Sequence, residues 1–519
     1  MGSRHLPART VLYEKEKNGV TYRVPALLYI PRWSTLLAFA EERLSADDAH
    51  ANLLVLRRGT FHRNYVEWED MCAVDRARLP GHRSMNPCPI YDDFTGQVFL
   101  FFIAVRGNTS ESYQIVTGHN LARLCYVTST DQGKSWSDVT DLTHTVIGES
   151  LKEWATFALG PGHGIQLKYG RLLIPAYTYH IKCRNCFGKF CQTTPRAFAF
   201  RSDDHGRSWK VGQFIPNLHT VECQLVSVDE ADGSNVLYCN ARSSLGFRVQ
   251  ALSYDGAIEF QPGQLVERLV ETPTGCHGSV IGFPAPLTLP RCNTNGQICC
   301  QTCSTQVLAK VAEVKSRGKK TLQAQEETRA SENRLSQWQP KYGRSISQLI
   351  FQKPILREDV WKENCYVSVG LPSMLKLKDE QVKSQTQYKA DQTFQTPTWV
   401  LYSHPTSPQS RVNLGVYLSP YPKDADSWRG PWVIYDGPSA YSDLAYIEVV
   451  PSEGGTRVLP PIVAFACLYE NGIKSPYEQI SFSIFTLYEV IQNLPPNPSD
   501  FNQYQSFNKS KRKTSCKAS

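Results

Sequence analysis

Three sets of residues in this 519-residue chain have types and spacings that chemistry could use. The first is sulfur. Cys183 and Cys186 in CRNC, with Cys191 close by, and Cys299, Cys300 and Cys303 in CCQTC place thiols at intervals that suit zinc. Neither group has the second well-spaced Cys or His pair needed to complete four ligands, so both are read as free thiols in loops and no metal is assigned. The second set is an octapeptide used twice, STDQGKSW from Ser129 and SDDHGRSW from Ser202, 73 positions apart. Its chemistry is that of a hairpin turn. The Asp accepts backbone N–H groups, the Gly supplies a positive φ, and the Trp fills the space between neighbouring sheets. SYDGAIEF, from Ser253, is a degraded third copy with its Gly one place early. The third set is the tail NKSKRKTSCKAS, polybasic with a single Cys516. It suits anionic lipid, with Cys516 open to acylation, and also resembles a nuclear localisation run.

The elements that must carry such residues are strands. Hydrophobic residues make up 41% of the chain and aromatics 11%, with 33 Gly and 32 Pro, a composition that favours strands and turns over long helices. Short β-branched or aromatic runs bounded by turn residues recur, among them YRVPALLYI, LLAFAEE, NLLVLRRG, QVFLFFIAV, GHGIQL, RLLIPAYTY and QISFSIFTLYEVI. The longest apolar run, VFLFFIAV from Val98, falls far short of the ~20 residues of a membrane span. The first residues lack an apolar core, so no secretory signal is expected. The chain is expected on the cytosolic side, with its 16 Cys mostly reduced and its sequons at Asn108 and Asn508 unused.

The character changes between about 291 and 395, which is polar, charged and poor in core residues. The expected organisation is a propeller's first part over 1–290, a flexible insertion over 291–395, the last part over 396–495 and a basic tail over 496–519. The net charge of +8 sits on these appendages. Residues 304–344 carry nine Lys/Arg against four Glu, and 501–519 five Lys/Arg with no acid, which leaves the rest slightly acidic. The basic balance therefore does not point to nucleic acid. A repeated turn in an all-β chain marks a repeated unit, and the remaining length divides into six or seven small sheets arranged radially, a β-propeller.

YRVP at Tyr22, LLAFAEERLSADDAHANLLVLRRG, LPGHRSMNPCP, EWATFALGPGHGIQL, VECQ, NARS, GCHGSV, AYSDLA and CLYENG together resemble the sialidase family, in which the repeated turns are called Asp boxes. The resemblance covers nearly the whole chain outside the insertion and tail. It implies an all-β six-bladed propeller that removes terminal sialic acid with no cofactor and no metal. The sugar's anomeric carbon carries a carboxylate, for which Arg is the fitting partner. The family's three arginines fall on Arg23, Arg242 and Arg411, a further substrate-binding Arg on Arg43, and the carboxylate orienting the first Arg on Glu470. Asn413 stands where the family has Asp. An anionic nucleophile would be repelled by the substrate carboxylate, and the family uses a Tyr instead. By motif that is Tyr441, with Glu222 as its base and Asp48, rather than the adjacent Asp47, as the acid/base. Met85, Asn86, Glu111, Tyr177 and Tyr179 match further pocket contacts, and the two tyrosines alternate along a strand and so share a face.

The expected function is a retaining exo-α-sialidase acting on gangliosides, glycoproteins and oligosaccharides, associated peripherally with a membrane through its tail. A cytosolic or nuclear location is the alternative. A trans-sialidase, a non-catalytic sialoglycan-binding propeller and a generic scaffold are the rival readings. The scaffold predicts no convergent arginines, and the binding module predicts loss of Tyr441, Glu222 or Asp48.

Overall fold

The computed structural model describes residues 5–62, 65–186, 190–288, 366–367, 396–449 and 462–495. The expected insertion, except Tyr366–Val367, and the basic tail with Cys516 lie outside the described residues, as do Cys299, Cys300 and Cys303. The chain divides into two compact units. One is formed by Met1–Ala285 with Lys378–Ser519, the other by Pro286–Leu377. In the second unit the described strands Leu287–Thr288 and Tyr366–Val367 pair antiparallel.

The first unit is all-β and propeller-like, a succession of antiparallel meanders. One sheet runs through Thr21–Ile30, Thr35–Arg43, Ala51–His62 and Tyr65–Trp68, and the next through His82–Asp92, Gln97–Arg106, Ala122–Ser129 and Thr140–Asp141. A third is built on Trp154–Leu159, Leu172–Cys183, Gln192–Ser202 and Lys210–Val211, and a fourth on Cys223–Asp229, Asn235–Ala241, Phe247–Ser253 and Gln264–Val270. The last is seven-stranded, and its 21-residue strand Arg429–Val449 changes partner midway. Residues up to Pro438 pair with Val412–Ser419, and those from Ser439 pair with Ile462–Asn471. Arg9–Glu14, from the other end of the chain, adds the final strand beside Gln479–Thr486. The strand faces are apolar on both sides, as in Val98–Val105, where every residue is buried, because each sheet is covered by two neighbours.

The repeated octapeptides are turns of one geometry. Gly133 and Gly206 have φ of 78° and 83°, and their N–H groups donate to Ser129 Oγ and Ser202 Oγ, each at 2.8 Å. Asp131 accepts from Lys134 N at 3.0 Å and Ser135 N at 2.9 Å. Partial burial works against ionisation of Asp131, but these bonds and those from Ser135 Oγ and Ser129 Oγ outweigh it and hold the carboxyl at about 2. The copy at Ser253 makes the same turn. Ala257 takes the glycine position at φ 68° and donates to Ser253 Oγ at 2.9 Å. Its displaced Gly256 occupies the preceding position, also left-handed (φ 69°), where the other copies have Gln132 and His205. Each large aromatic reaches back to the preceding sheet. Trp136 meets Phe39 edge-on at 6.0 Å, and Trp209 meets Phe101 at 4.7 Å.

Two local expectations change. QISFSIFT is a strand, but Leu487–Asn493 is a helix. A capping box, in which Thr486 and Glu489 bond each other's backbone N–H, stops the strand and starts it. GHGIQL contributes only the two-residue strand Ile165–Gln166. The thiol reading also needs correction, since Cys183 and Cys186 are joined as a disulfide across a Cα separation of 5.8 Å, a span that suits the bond. Cys191 is free.

Candidate active site

A cavity of about 470 Å³ opens where the first strands of the sheets converge. It is lined by Arg23, Arg43, Asp48, Met85, Asn86, Glu111, Tyr177, Tyr179, Glu222, Arg242, Arg411 and Tyr441. Of the residues that the resemblance gave a site role, only Glu470 is absent from its wall, and it is buried against Arg23.

The inner strands are irregular where they meet this cavity. The ladder skips between Arg23 and Ala26, between Met85 and Cys88, and between Ser439 and Ser442. Such bulges re-aim side chains and free backbone amides. Two buried carboxylates take up those amides and hold arginines as well. Glu470 accepts from Arg23 Nε at 2.6 Å, Val24 N at 2.9 Å and Tyr441 N at 3.1 Å. Glu41 accepts from Arg43 Nε at 2.8 Å and Asn86 N at 2.6 Å. Val24 sits at φ 56°, a left-handed conformation that is strained for a β-branched residue. Asn86 at φ 53° and Asn413 at φ 58° are there too, at less cost because Asn tolerates this region. Asn413 Oδ1 accepts from Gly437 N at 3.0 Å. Arg411, two residues earlier, stands in the cavity wall.

The three arginines of the expected triad, far apart in the chain, surround Tyr441. Arg242 Nη1 lies 3.1 Å from the phenol oxygen. The guanidinium carbons of Arg411 and Arg23 lie 5.4 and 5.9 Å from the ring centre. Each is fixed from behind, Arg242 by Glu222 (2.6 Å) and Thr274 O (2.6 Å), Arg411 by Gly275 O (2.8 Å), and Arg23 by Glu470. Tyr441 donates a short hydrogen bond to Glu222. Burial, reinforced by the Glu222 charge and only partly countered by Arg242 and Arg411, pushes the phenol well above its ordinary range. Burial also opposes ionisation of Glu222, but Arg242, its other neighbours and the hydrogen bond from Tyr441 together outweigh it, and the carboxyl stays below its usual range. The pair is thus a neutral phenol hydrogen-bonded to a carboxylate.

Asp48, also in the cavity wall, pairs with buried Arg43 while its own side chain remains 63% exposed. It can therefore reach both a bound molecule and bulk water. Asp47 instead caps a single helical turn by accepting Ala49 N at 2.9 Å. Tyr177 donates to Glu111 at 3.1 Å, and Tyr179 stands edge-on to Tyr177 at 6.3 Å. Burial, with the nearby Glu222 charge, pushes Glu111 up to about 7.

Several site residues were not foreseen. Tyr477 lies beneath Arg23, 3.8 Å from guanidinium carbon to ring centre, and its hydroxyl accepts from Arg411 at 3.2 Å. His277 packs against Tyr441 at 5.4 Å, and burial pushes its imidazole down to about 4, so it is uncharged at neutral pH. Glu41 lies two residues before Arg43, and that spacing alone could have signalled it.

The chain matches the BNR repeat-like domain over residues 34–341. It is 46% identical to mouse Sialidase-4 over 511 residues, covering 95% of this chain and 96% of that protein. Human Sialidase-3 is 40% identical over 497 residues, covering 94% and 96%. The chain belongs to the sialidase family. Sialidases are glycoside hydrolases, and the cavity of this sialidase is its candidate catalytic centre. The fold is also that of distant solved sialidases. A Hadza microbial sialidase, Hz136, superposes with a TM-score of 0.57 at 17% identity, over 93% of this chain and 69% of that one. The Trypanosoma rangeli sialidase with 2,3-difluorosialic acid, described as a covalent intermediate, gives 0.51 at 12% identity, over 93% and 59%.

Proposed function

We propose that this sialidase is a retaining exo-α-sialidase in which Tyr441 is the nucleophile, Glu222 its base and Asp48 the acid/base. The single observation that carries the reading is the Tyr441–Glu222 hydrogen bond set among Arg23, Arg242 and Arg411. The arginines hold the sugar carboxylate. Glu222 takes the phenol proton as Tyr441 Oη bonds to the anomeric carbon, and Asp48 gives its proton to the departing glycosidic oxygen. In the second step Asp48 removes a proton from water, which attacks the same carbon. Tyr441 leaves and recovers its proton from Glu222, so the anomeric configuration is retained. Met85, Asn86, Glu111, Tyr177 and Tyr179 contact the rest of the sugar.

The scaffold in this reading is a six-bladed propeller. Four sheets are single blades, and the seven-stranded sheet is two blades fused through Arg429–Val449, which pairs with a different strand in each half. The octapeptide turns are its Asp boxes. Gangliosides and sialoglycoproteins are the proposed substrates, with the basic tail holding the protein at a membrane surface. Among the described residues no helix is long and apolar enough to cross a membrane.

Two experiments test this. Incubation with 2,3-difluorosialic acid followed by peptide mass spectrometry is expected to place the adduct on Tyr441. Tyr441→Phe should lower release of a fluorogenic sialoside by about a thousandfold or more while leaving the fold intact. A labelled carboxylate in place of Tyr441, or a fully active Phe variant, overturns the assignment. Free-sugar analysis of mixed gangliosides and sialoglycoproteins decides the substrate class.

A further inference from the structure

Behind the cavity lies a second carboxylate that the chemistry does not use. Asp443, two residues after Tyr441, is fully buried. Its oxygens meet Leu27 N at 2.7 Å, Ser279 Oγ at 2.8 Å, His163 Nδ1 at 2.8 Å and Gln224 Nε2 at 3.0 Å. These four partners come from four different sheets or their loops, and Asp443 itself stands on the Tyr441 strand. The sheet of His82–Asp92 is joined as well, because Gly162 N, next to His163, donates to Pro87 O at 3.3 Å. Gly162 must be glycine, since it has φ +107° and a Cβ there would run into Gln224 and Asp443.

The geometry repeats that of the reacting pair. Glu222 and Gln224 are two apart, as are Tyr441 and Asp443, so one cross-link carries the phenol and the next carries Asp443. We propose that Asp443 is a positioning residue, which ties the Tyr441 and Glu222 strands together through Gln224 and so sets the approach of the phenol to its base. Leu27 extends the tie to the strand that carries Arg23. The inference rests on the nucleophile reading above, and Tyr441→Phe tests that reading separately.

The test uses the full chain with a fluorogenic sialoside, and near-UV circular dichroism to measure the folded fraction. Misplacement of reacting groups by about 1 Å can cost a hundredfold. Asp443→Asn is therefore expected to lower kcat by about tenfold or more per folded molecule, with KM within about threefold, because the arginines keep their own anchors. Gln224→Glu, which sets two carboxylates face to face, should do the same. Should Asp443→Asn not fold, Ser279→Ala leaves the carboxylate in place and removes one hydroxyl, which meets Asp443 and Gln224 at 2.8 Å and accepts from Leu444 N at 3.0 Å, and it is expected to show a kcat loss of about threefold at unchanged KM. A folded Asp443→Asn protein with kcat within twofold of the parent, or a Ser279→Ala variant with unchanged kcat, overturns the proposal. If Tyr441→Phe is inactive while Asp443→Asn is fully active, the nucleophile stands and the positioning role falls.

Discussion

Ionisation in the cavity depends on which neighbour faces each carboxyl. Glu222 and Glu111 both lie near Tyr177 and near each other, yet they shift in opposite directions. Arg242 touches Glu222 and holds it charged, whereas burial and the Glu222 charge favour the neutral form of Glu111. A carboxyl raised in the folded state contributes stability below its unfolded pKa and loses it as pH rises through the folded one. For Glu111 the window runs from its ordinary value of 4.5 to about 7. Glu111→Gln should match the parent in stability relative to its own low-pH value, then gain on it across that window. The gain is about 3 kcal/mol at most, read as the difference in Tm between pH 4.5 and pH 8. A constant difference across that range would mean that Glu111 is not raised. At this scale the sequence was legible wherever a motif carried the residue, as with Arg23 in YRVP or Tyr441 in AYSDL. Tyr477 escaped because nothing around it distinguishes a site residue from an ordinary aromatic, and His277, although it lies in GCHGSV, had no role attached to that motif. Only the approach of Tyr477 to Arg23 and Arg411, and of His277 to Tyr441, gives them a role.

Strands and turns follow local rules that a neighbour can override. The octapeptide turn was readable because each position has one task, but its third copy looked degraded for lack of a glycine at the expected place. Ala257 shows that the Ser253 hydroxyl and the packing of Phe260 suffice to hold the left-handed backbone. The two true glycines are not equivalent. A Cβ on Gly133 would lie 3.3–3.4 Å from Leu56, Leu37 and Trp136, whereas one on Gly206 would overlap the Phe99 ring. Gly206→Ala is therefore expected to destabilise more than Gly133→Ala, by about 1–3 kcal/mol, measured by urea unfolding. Equal losses would show that backbone conformation alone sets the cost. The strand reading of QISFSIFTLYEVI ran too far because its apolar spacing suits either element at that length. The Thr486–Glu489 capping box was the local signal that decides it.

The molecule closes on itself through Arg9–Glu14, which lies beside Gln479–Thr486, and this strand buries Leu12 and Tyr13. Tyr13 also donates to Ala38 O of the first sheet at 2.6 Å, so a single strand joins first and last sheets. Deleting residues 1–14 should lower Tm and sialidase activity together, because the last sheet also carries Tyr441 and Glu470. Loss of the two buried side chains alone costs about 4–8 kcal/mol. A truncated protein with parental Tm would show that closure lies elsewhere. The sequence by itself determined the all-β class, the repeated turn and the motif residues of the site. The first two depend on period and turn chemistry, which are local, and the third came from the resemblance of motifs such as YRVP and AYSDL to the sialidase family. The tertiary structure decided that Glu41 holds Arg43 and Glu222 holds Arg242, where the inner strands bulge, and that Asp443 gathers donors from four sheets. Those depend on distances between residues hundreds of positions apart, such as Leu27 and Asp443, and only the closed ring of sheets sets such distances.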